Sequence, residues 1–128
     1  MIPSSIIGLG TDIIEINRIQ KAFQKHGQRF LNRIYLPKEQ LYCLEAANPI
    51  PRLAARFAAK EAVVKSLGSG FGFCSWLDIE IVKNHYGQPT VLFSKKLRNL
   101  YGPISSLLSI SHSLYYATAT VICFKVIK

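Results

Sequence analysis

The chain has 128 residues and a mass of 14.4 kDa, enough for one modest core, so a single domain over 1–128 is expected. Hydrophobic residues make up 49% and charged residues 18%, which excludes a disordered chain and points to apolar surface covered by another subunit. Sixteen Lys+Arg against seven Asp+Glu leave +9, a field suited to a polyanionic partner: nucleic acid, an anionic membrane, a phosphorylated ligand or an acidic protein.

IIGLGTDIIEI (6–16) reads as a strand. Asn17 is placed to cap a helix, NRIQKAFQKH, which Gly27 stops. QRFLNRIY is a short helical piece before Pro37, which suits the first turn of PKEQLYCLEAA. NPIP (48–51) separates that helix from a longer one carrying RFAAKEAVVKSLG (56–68), with Gly68 as its terminator. GSGFGFCS is a glycine-rich loop without the lysine and spacing of a P-loop. WLDIEIVKN alternates as a strand, and HYGQ turns into PTVLFS. SKKLRNLYG is a short helix, and LLSISHS and YYATATVICFKVI close the chain as antiparallel strands. This order predicts an α+β fold, an antiparallel sheet packed with helices.

Cys43, Cys74 and Cys123 are scattered, odd in number and not at zinc spacing. They are expected to be reduced core thiols of a cytoplasmic protein. MIPSSIIGLG lacks the basic start of a signal peptide, and no apolar run approaches the roughly 20 residues of a membrane span.

The long helix carries charge where its pattern asks for none. Leu53, Phe57, Val64 and Leu67 form a stripe about 80° wide on a helical wheel. Lys60 falls inside that stripe, and Arg56 and Glu61 lie on its margins. Ala55, Ala58, Ala59, Ala62 and Ser66 lie nearly opposite and permit close approach of another element. Glu61 and Lys65 have the spacing of a helical ion pair worth about 0.2–0.5 kcal/mol, which competes with a ligand role for Lys65. Arg56 and Lys60 are four apart with no acid within helical reach, so together they call for an outside anion.

Asp12 shares a strand face with Gly8, Gly10, Ile14 and Ile16, where an unpaired carboxylate is expensive to bury. A strand end would satisfy it through local backbone N–H groups. The neighbouring glycines instead suggest close approach of a backbone or a ligand. Asp12 and Glu61 together offer hard oxygen ligands of the kind that hold magnesium along with water and phosphate. With Arg56, Lys60 and Lys65 they sum to a diphosphate site, provided the two segments meet.

GLGTDIIEINRI and RFAAKEAVVKSLG, with NHYGQPTV and SISHS in matching order, resemble the small bacterial holo-[acyl-carrier-protein] synthases, one type of 4′-phosphopantetheinyl transferase. The resemblance spans nearly the whole chain and implies the 4′-phosphopantetheinyl transferase-like fold. It implies transfer of phosphopantetheine from coenzyme A to a serine of apo acyl carrier protein, a step of fatty acid biosynthesis, with release of adenosine 3′,5′-bisphosphate. By that resemblance Asp12 and Glu61 hold Mg²⁺ (or Mn²⁺) on the diphosphate of coenzyme A. Arg56, Lys60 and Lys65 neutralise its phosphates, Gly68 lets the chain turn beside it, and His112 meets the nucleotide end. By the same resemblance the catalytic roles fall to Glu61 and Lys65, with either Glu61 or a metal-bound water it orients taking the serine proton. A homotrimer with sites between subunits is also implied. Thr11 stands where the family often has an apolar residue, and Leu114 where polar residues are usual.

Arg18, Lys21 and Lys25 fall within about 60° of one another on the first helix, without an interleaved acid, and Arg29 and Arg33 follow. The resemblance implies that this face docks the acidic helix of the carrier protein; most such rim charges act on encounter rate and salt dependence. Asn84 and Pro89 are hairpin residues that could also line a pantetheine channel, and His26 and His85 receive no role. A basic nucleic-acid-binding domain is the competing class. It is disfavoured because the cluster has few aromatics for stacking and because it leaves Asp12 and Glu61 unexplained. A coenzyme A binder without transfer activity is a third reading, and every matched catalytic position being intact argues against it.

Overall fold

A computed structural model describes residues 5–68 and 74–126. β1 (Ile6–Glu15) runs into α1 (Ile16–His26), α2 (Gln28–Ile34) and α3 (Pro37–Leu44), followed by the long α4 (Ile50–Ser66). A hairpin of β2 (Ile79–Lys83) and β3 (Pro89–Phe93) comes next, then α5 (Lys95–Tyr101) and the pair β4 (Ile104–His112) and β5 (Tyr116–Lys125). The strands form two antiparallel sheets, one ordered β1-β5-β4 and one of β2 with β3. The expected α+β architecture is therefore what the chain adopts.

Alternation along β1 and β5 sets the two faces of the larger sheet. Ile14, Ala117, Ala119, Val121 and Cys123 are buried beneath α4. Leu9, Ile13 and Leu107 lie on the opposite face and are 66%, 66% and 65% exposed. Pairing of Asp12 with Ala119 and of Ala119 with Ile110 puts Asp12 on the α4 side. The small residues on the back of α4 allow this close contact. A Cβ added to Gly8 would lie 2.0 Å from Ser66 O, and one added to Gly10 would lie 1.8 Å from Ala62 O. The glycines of β1 thus admit a helix backbone rather than a ligand. Gly10→Ala must push β1 off α4, with an expected loss of about 1–3 kcal/mol or more in urea denaturation. An unchanged midpoint would show that the strand and helix do not touch here.

Several boundaries differ from the sequence reading. α1 begins at Ile16 with Glu15 at its N-cap position and no side-chain cap, so Asn17 is not the cap. Tyr115 O instead receives the Ile16 N–H at 2.8 Å, tying the helix start to the β4–β5 turn. α3 stops at Leu44, and Pro49–Pro51 opens α4 rather than separating it from α3. Trp76–Asp78 is a 3₁₀ turn held by Asp78 Oδ2, which accepts from Ser75 N, so β2 begins only at Ile79. β4 starts three residues before Leu107. Gly27 and Gly68, both at positive φ, terminate α1 and α4 as expected. Residues 69–73 of the predicted glycine-rich loop lie outside the described residues. No helix among the described residues is long and apolar enough to cross a membrane.

Candidate active site

The close fit of β1 on α4 brings Asp12 to the two turns of α4 that carry Glu61 and Lys65. Lys65 Nζ donates to Asp12 Oδ1 and to Thr11 O, both at 3.1 Å. Lys65 thus pairs with Asp12 across the two elements, whereas the sequence placed its structural partner on its own helix. The Asp12 side chain is only 14% exposed while that of Lys65 is 53% exposed, so the cation can swing to another anion at small expense. Burial, and next the charge of Asp12, raise the Glu61 carboxyl above its ordinary value; Lys65 and Arg18 partly offset this. Two carboxylates that repel each other beside two cations suit a divalent ion and a phosphorylated ligand together. Among the described residues no group of three or more His, Cys, Asp or Glu converges.

The folded protein holds the Glu61 proton more tightly than the unfolded chain, whose Glu titrates at about 4.3. Between those two values the folded state binds the extra proton. This contribution to stability is full below the unfolded value and is lost as pH rises through the folded one. In chelator-treated protein Glu61→Gln is therefore expected to raise the urea midpoint at neutral pH and flatten that decline. A lower midpoint at neutral pH would contradict a repelling pair.

Lys60 requires a correction. It was expected to face phosphate, but its side chain is wholly buried and paired with Glu39, which is also buried. Lys60 Nζ donates to Glu39 Oε1, to Ile34 O at 2.6 Å and to Trp76 O at 3.1 Å. The missing acid comes from α3, not from α4. Lys60 is thus a structural cation, unavailable to a ligand in this arrangement.

Arg56 and His112 open onto a second centre. An ammonium and two guanidinium groups surround the Tyr42 ring: Arg56 and Arg52 stand 4.1 and 4.2 Å from its centroid, and Lys83 Nζ stands 4.8 Å away. A cavity of about 200 Å³ is lined by these four residues with His112 and Ile110 among its other walls. Among the described residues only Arg52 of these cations has a carboxylate, Glu45 at 3.2 Å, and Arg56 Nε is buried without a hydrogen-bond acceptor. A buried donor without an acceptor in a cationic cavity calls for an anion. Arg56 precedes Glu61 by five residues, about 140° around and about 7.5 Å along the helix, so the two centres are distinct.

The remaining expected residues are also placed. Arg18, Lys21 and Lys25 are exposed on α1, and the influence of Arg18 on Glu61 makes that cationic face continuous with the carboxylate pair. Gly68 ends α4 at φ +80°, and none of the described residues comes within 4 Å of an added Cβ. The cysteines are buried and free, and burial pushes the Cys43 and Cys74 thiols up to about 11, away from nucleophilic use. Tyr42, Arg52, Lys83 and Glu39 were not singled out in the sequence. A third base on the Arg56–Lys60 spacing, Arg52, was the available hint; Glu39 left none.

The profile of the 4′-phosphopantetheinyl transferase superfamily matches residues 8–118. The holo-[acyl-carrier-protein] synthase of Protochlamydia amoebophila is 54% identical over 114 residues, covering 88% of this chain and 93% of that protein. The crystal structure of the holo-[acyl-carrier-protein] synthase from Neisseria meningitidis has a TM-score of 0.85 at 36% identity, covering 94% of this chain and 99% of that one. A holo-(acyl-carrier-protein) synthase from Bacillus anthracis, solved in complex with CoA (3′,5′-ADP), has a TM-score of 0.82 at 36% identity, covering 96% of this chain and 100% of that one.

Proposed function

The chain belongs to the 4′-phosphopantetheinyl transferase superfamily, among its holo-[acyl-carrier-protein] synthases, and on that premise we propose that it transfers 4′-phosphopantetheine from coenzyme A to a serine hydroxyl of apo acyl carrier protein, with Mg²⁺. The observation that carries this reading is the meeting of Asp12, Glu61 and Lys65 where β1 crosses α4. Coenzyme A has two separate anionic groups, a diphosphate and a 3′-phosphate. The chain offers two centres to match them: the carboxylate pair with Lys65 and Arg18, and the cavity around Tyr42.

Asp12 and Glu61 would hold Mg²⁺, and their mutual repulsion and hard oxygen atoms fit that ion. When bound, it neutralises charge on the diphosphate. Lys65 exchanges Asp12 for a phosphate oxygen, and Arg56 and His112 hold the nucleotide end. The serine oxygen attacks the phosphorus that bears pantetheine, and the bond from that phosphorus to the bridging oxygen breaks. The bridging oxygen leaves with adenosine 3′,5′-bisphosphate. The serine proton passes to Glu61 or to a water that it orients. Arg18, Lys21 and Lys25 draw in the acidic carrier. Neighbouring copies cover Leu9, Ile13 and Leu107 in a homotrimer, and free thiols fit a cytoplasmic setting.

The test is the intact mass of an apo acyl carrier protein after incubation with this protein, coenzyme A and Mg²⁺. A phosphopantetheine-sized gain on serine, abolished by chelator, is expected. No gain with any of several carriers would overturn the reading.

A further inference from the structure

The β4–β5 turn carries three consecutive large side chains that folding does not explain. Leu114, Tyr115 and Tyr116 are 79%, 70% and 46% exposed. Their backbone is nonetheless firmly held. Ser113 N donates to Tyr116 O at 2.8 Å, Tyr116 N donates to Ser113 Oγ at 3.2 Å, and Tyr115 O takes the first N–H of α1. The turn and the start of α1 enclose an open cavity of about 610 Å³, whose walls include Leu114, Tyr115, Tyr116, Asn17 and Gln20.

The surroundings indicate what this cavity receives. On the α1 wheel Asn17 and Gln20 form its wall, and Lys21 follows about 40° from Asn17, with Lys25 and Arg18 beyond. A cationic stripe thus runs along the edge of an apolar dent. Glu15 also lines the dent, which disfavours an acidic side chain inside it. An amphipathic helix with acids on one flank and an apolar residue beside them satisfies both surfaces: acids on Arg18, Lys21 and Lys25, the apolar side chain between Leu114 and Tyr115.

We propose that the Leu114–Tyr115 turn is a specificity element for the carrier protein, gripping an apolar side chain of its acidic docking helix next to the α1 cations. This inference rests on the transferase reading above. It adds to it a surface outside both anionic centres, built from side chains that do not contact the reacting groups.

The double variant Leu114→Ser with Tyr115→Ser tests it, with Leu114→Gln alone as a milder second variant. Both positions are exposed, so melting temperature should not move. The KM for apo carrier should rise about tenfold in the double variant, the loss expected on exposing one large apolar contact, while kcat and the KM for coenzyme A stay constant. An unchanged carrier KM in both variants, with wild-type transfer intact, overturns this inference alone. A changed KM for coenzyme A would reassign the turn to the nucleotide cavity, and a changed oligomeric mass in light scattering would reassign it to a subunit contact. Either result overturns the proposal. Absence of transfer by the wild type would remove the transferase reading itself and this inference with it.

Discussion

Glu39→Ala lowers the unfolding free energy by about 3–5 kcal/mol, the range for stripping one partner from a buried ion pair. Both side chains of the Lys60–Glu39 pair are fully buried, so neither charge is hydrated once the other is gone. Glu39 also accepts from Leu36 N and Ile81 N, each at 2.9 Å, and so joins α3 to the strand hairpin beneath α4. Replacing a buried pair with apolar residues is often neutral, but here those two backbone donors would remain unpaired, each worth about 1–3 kcal/mol. The double variant Glu39→Leu with Lys60→Met should therefore recover only part of the loss. Burial already lowers the affinity of Lys60 for its proton, and Glu39 opposes that shift. Without Glu39 the folded state releases the proton more readily than the unfolded chain does. Stability of the single variant then rises with pH through the window between the two values, and its deficit narrows on the alkaline side. Urea denaturation across pH checks both statements. A single-variant loss below about 1 kcal/mol, typical of an exposed pair, would mean the pair is not sealed.

That pair also shows where sequence reading stops. The wheel of α4 exposes Lys60 as an anomaly because periodicity is a local property of the chain. Its partner is 21 residues upstream on another helix, and contact between elements leaves no periodic trace. The sequence therefore revealed that a charge was misplaced but not who neutralises it. The missing acid was read as a ligand when it was a neighbouring helix. Asp12 was legible for a better reason: a carboxylate on a strand face flanked by glycines demands either a partner or a close neighbour. The structure supplies both, since Gly8 and Gly10 admit α4 and Lys65 comes with it. Arg56 was legible as a base lacking an acid. The cavity that gives it meaning draws Tyr42, Lys83 and His112 from three further elements or their ends, and only the folded chain brings them to one place. Short strands suffered similarly: Trp76–Asp78 alternates like β2 but curls, because Asp78 finds Ser75 N before a strand partner.

Asp12→Ala is expected to reduce kcat for phosphopantetheine transfer on the order of a thousandfold. A phosphate-bound metal supplies several kcal/mol, and about 1.36 kcal/mol corresponds to tenfold in rate. The variant removes one of the two carboxylates proposed to hold the metal and unseats the orientation of Lys65, which donates its two hydrogen bonds to Asp12 and the Thr11 carbonyl. It leaves Arg56, Arg52, Lys83 and Tyr42 untouched, so the anchorage proposed for the nucleotide end is kept and the KM for coenzyme A should change by only a few-fold. That split separates loss of the carboxylate pair from general damage to the fold. A second signature points the same way: with Asp12 absent, its like charge no longer opposes ionisation of Glu61, so the metal-free variant should be no less stable than the wild type near neutral pH. An equal loss of coenzyme A affinity and stability would recast Asp12 as a structural residue. Transfer above one tenth of the wild-type rate would take the carboxylate pair out of the chemistry and leave Lys65 and the Tyr42 cavity to carry the diphosphate and the nucleotide by charge alone.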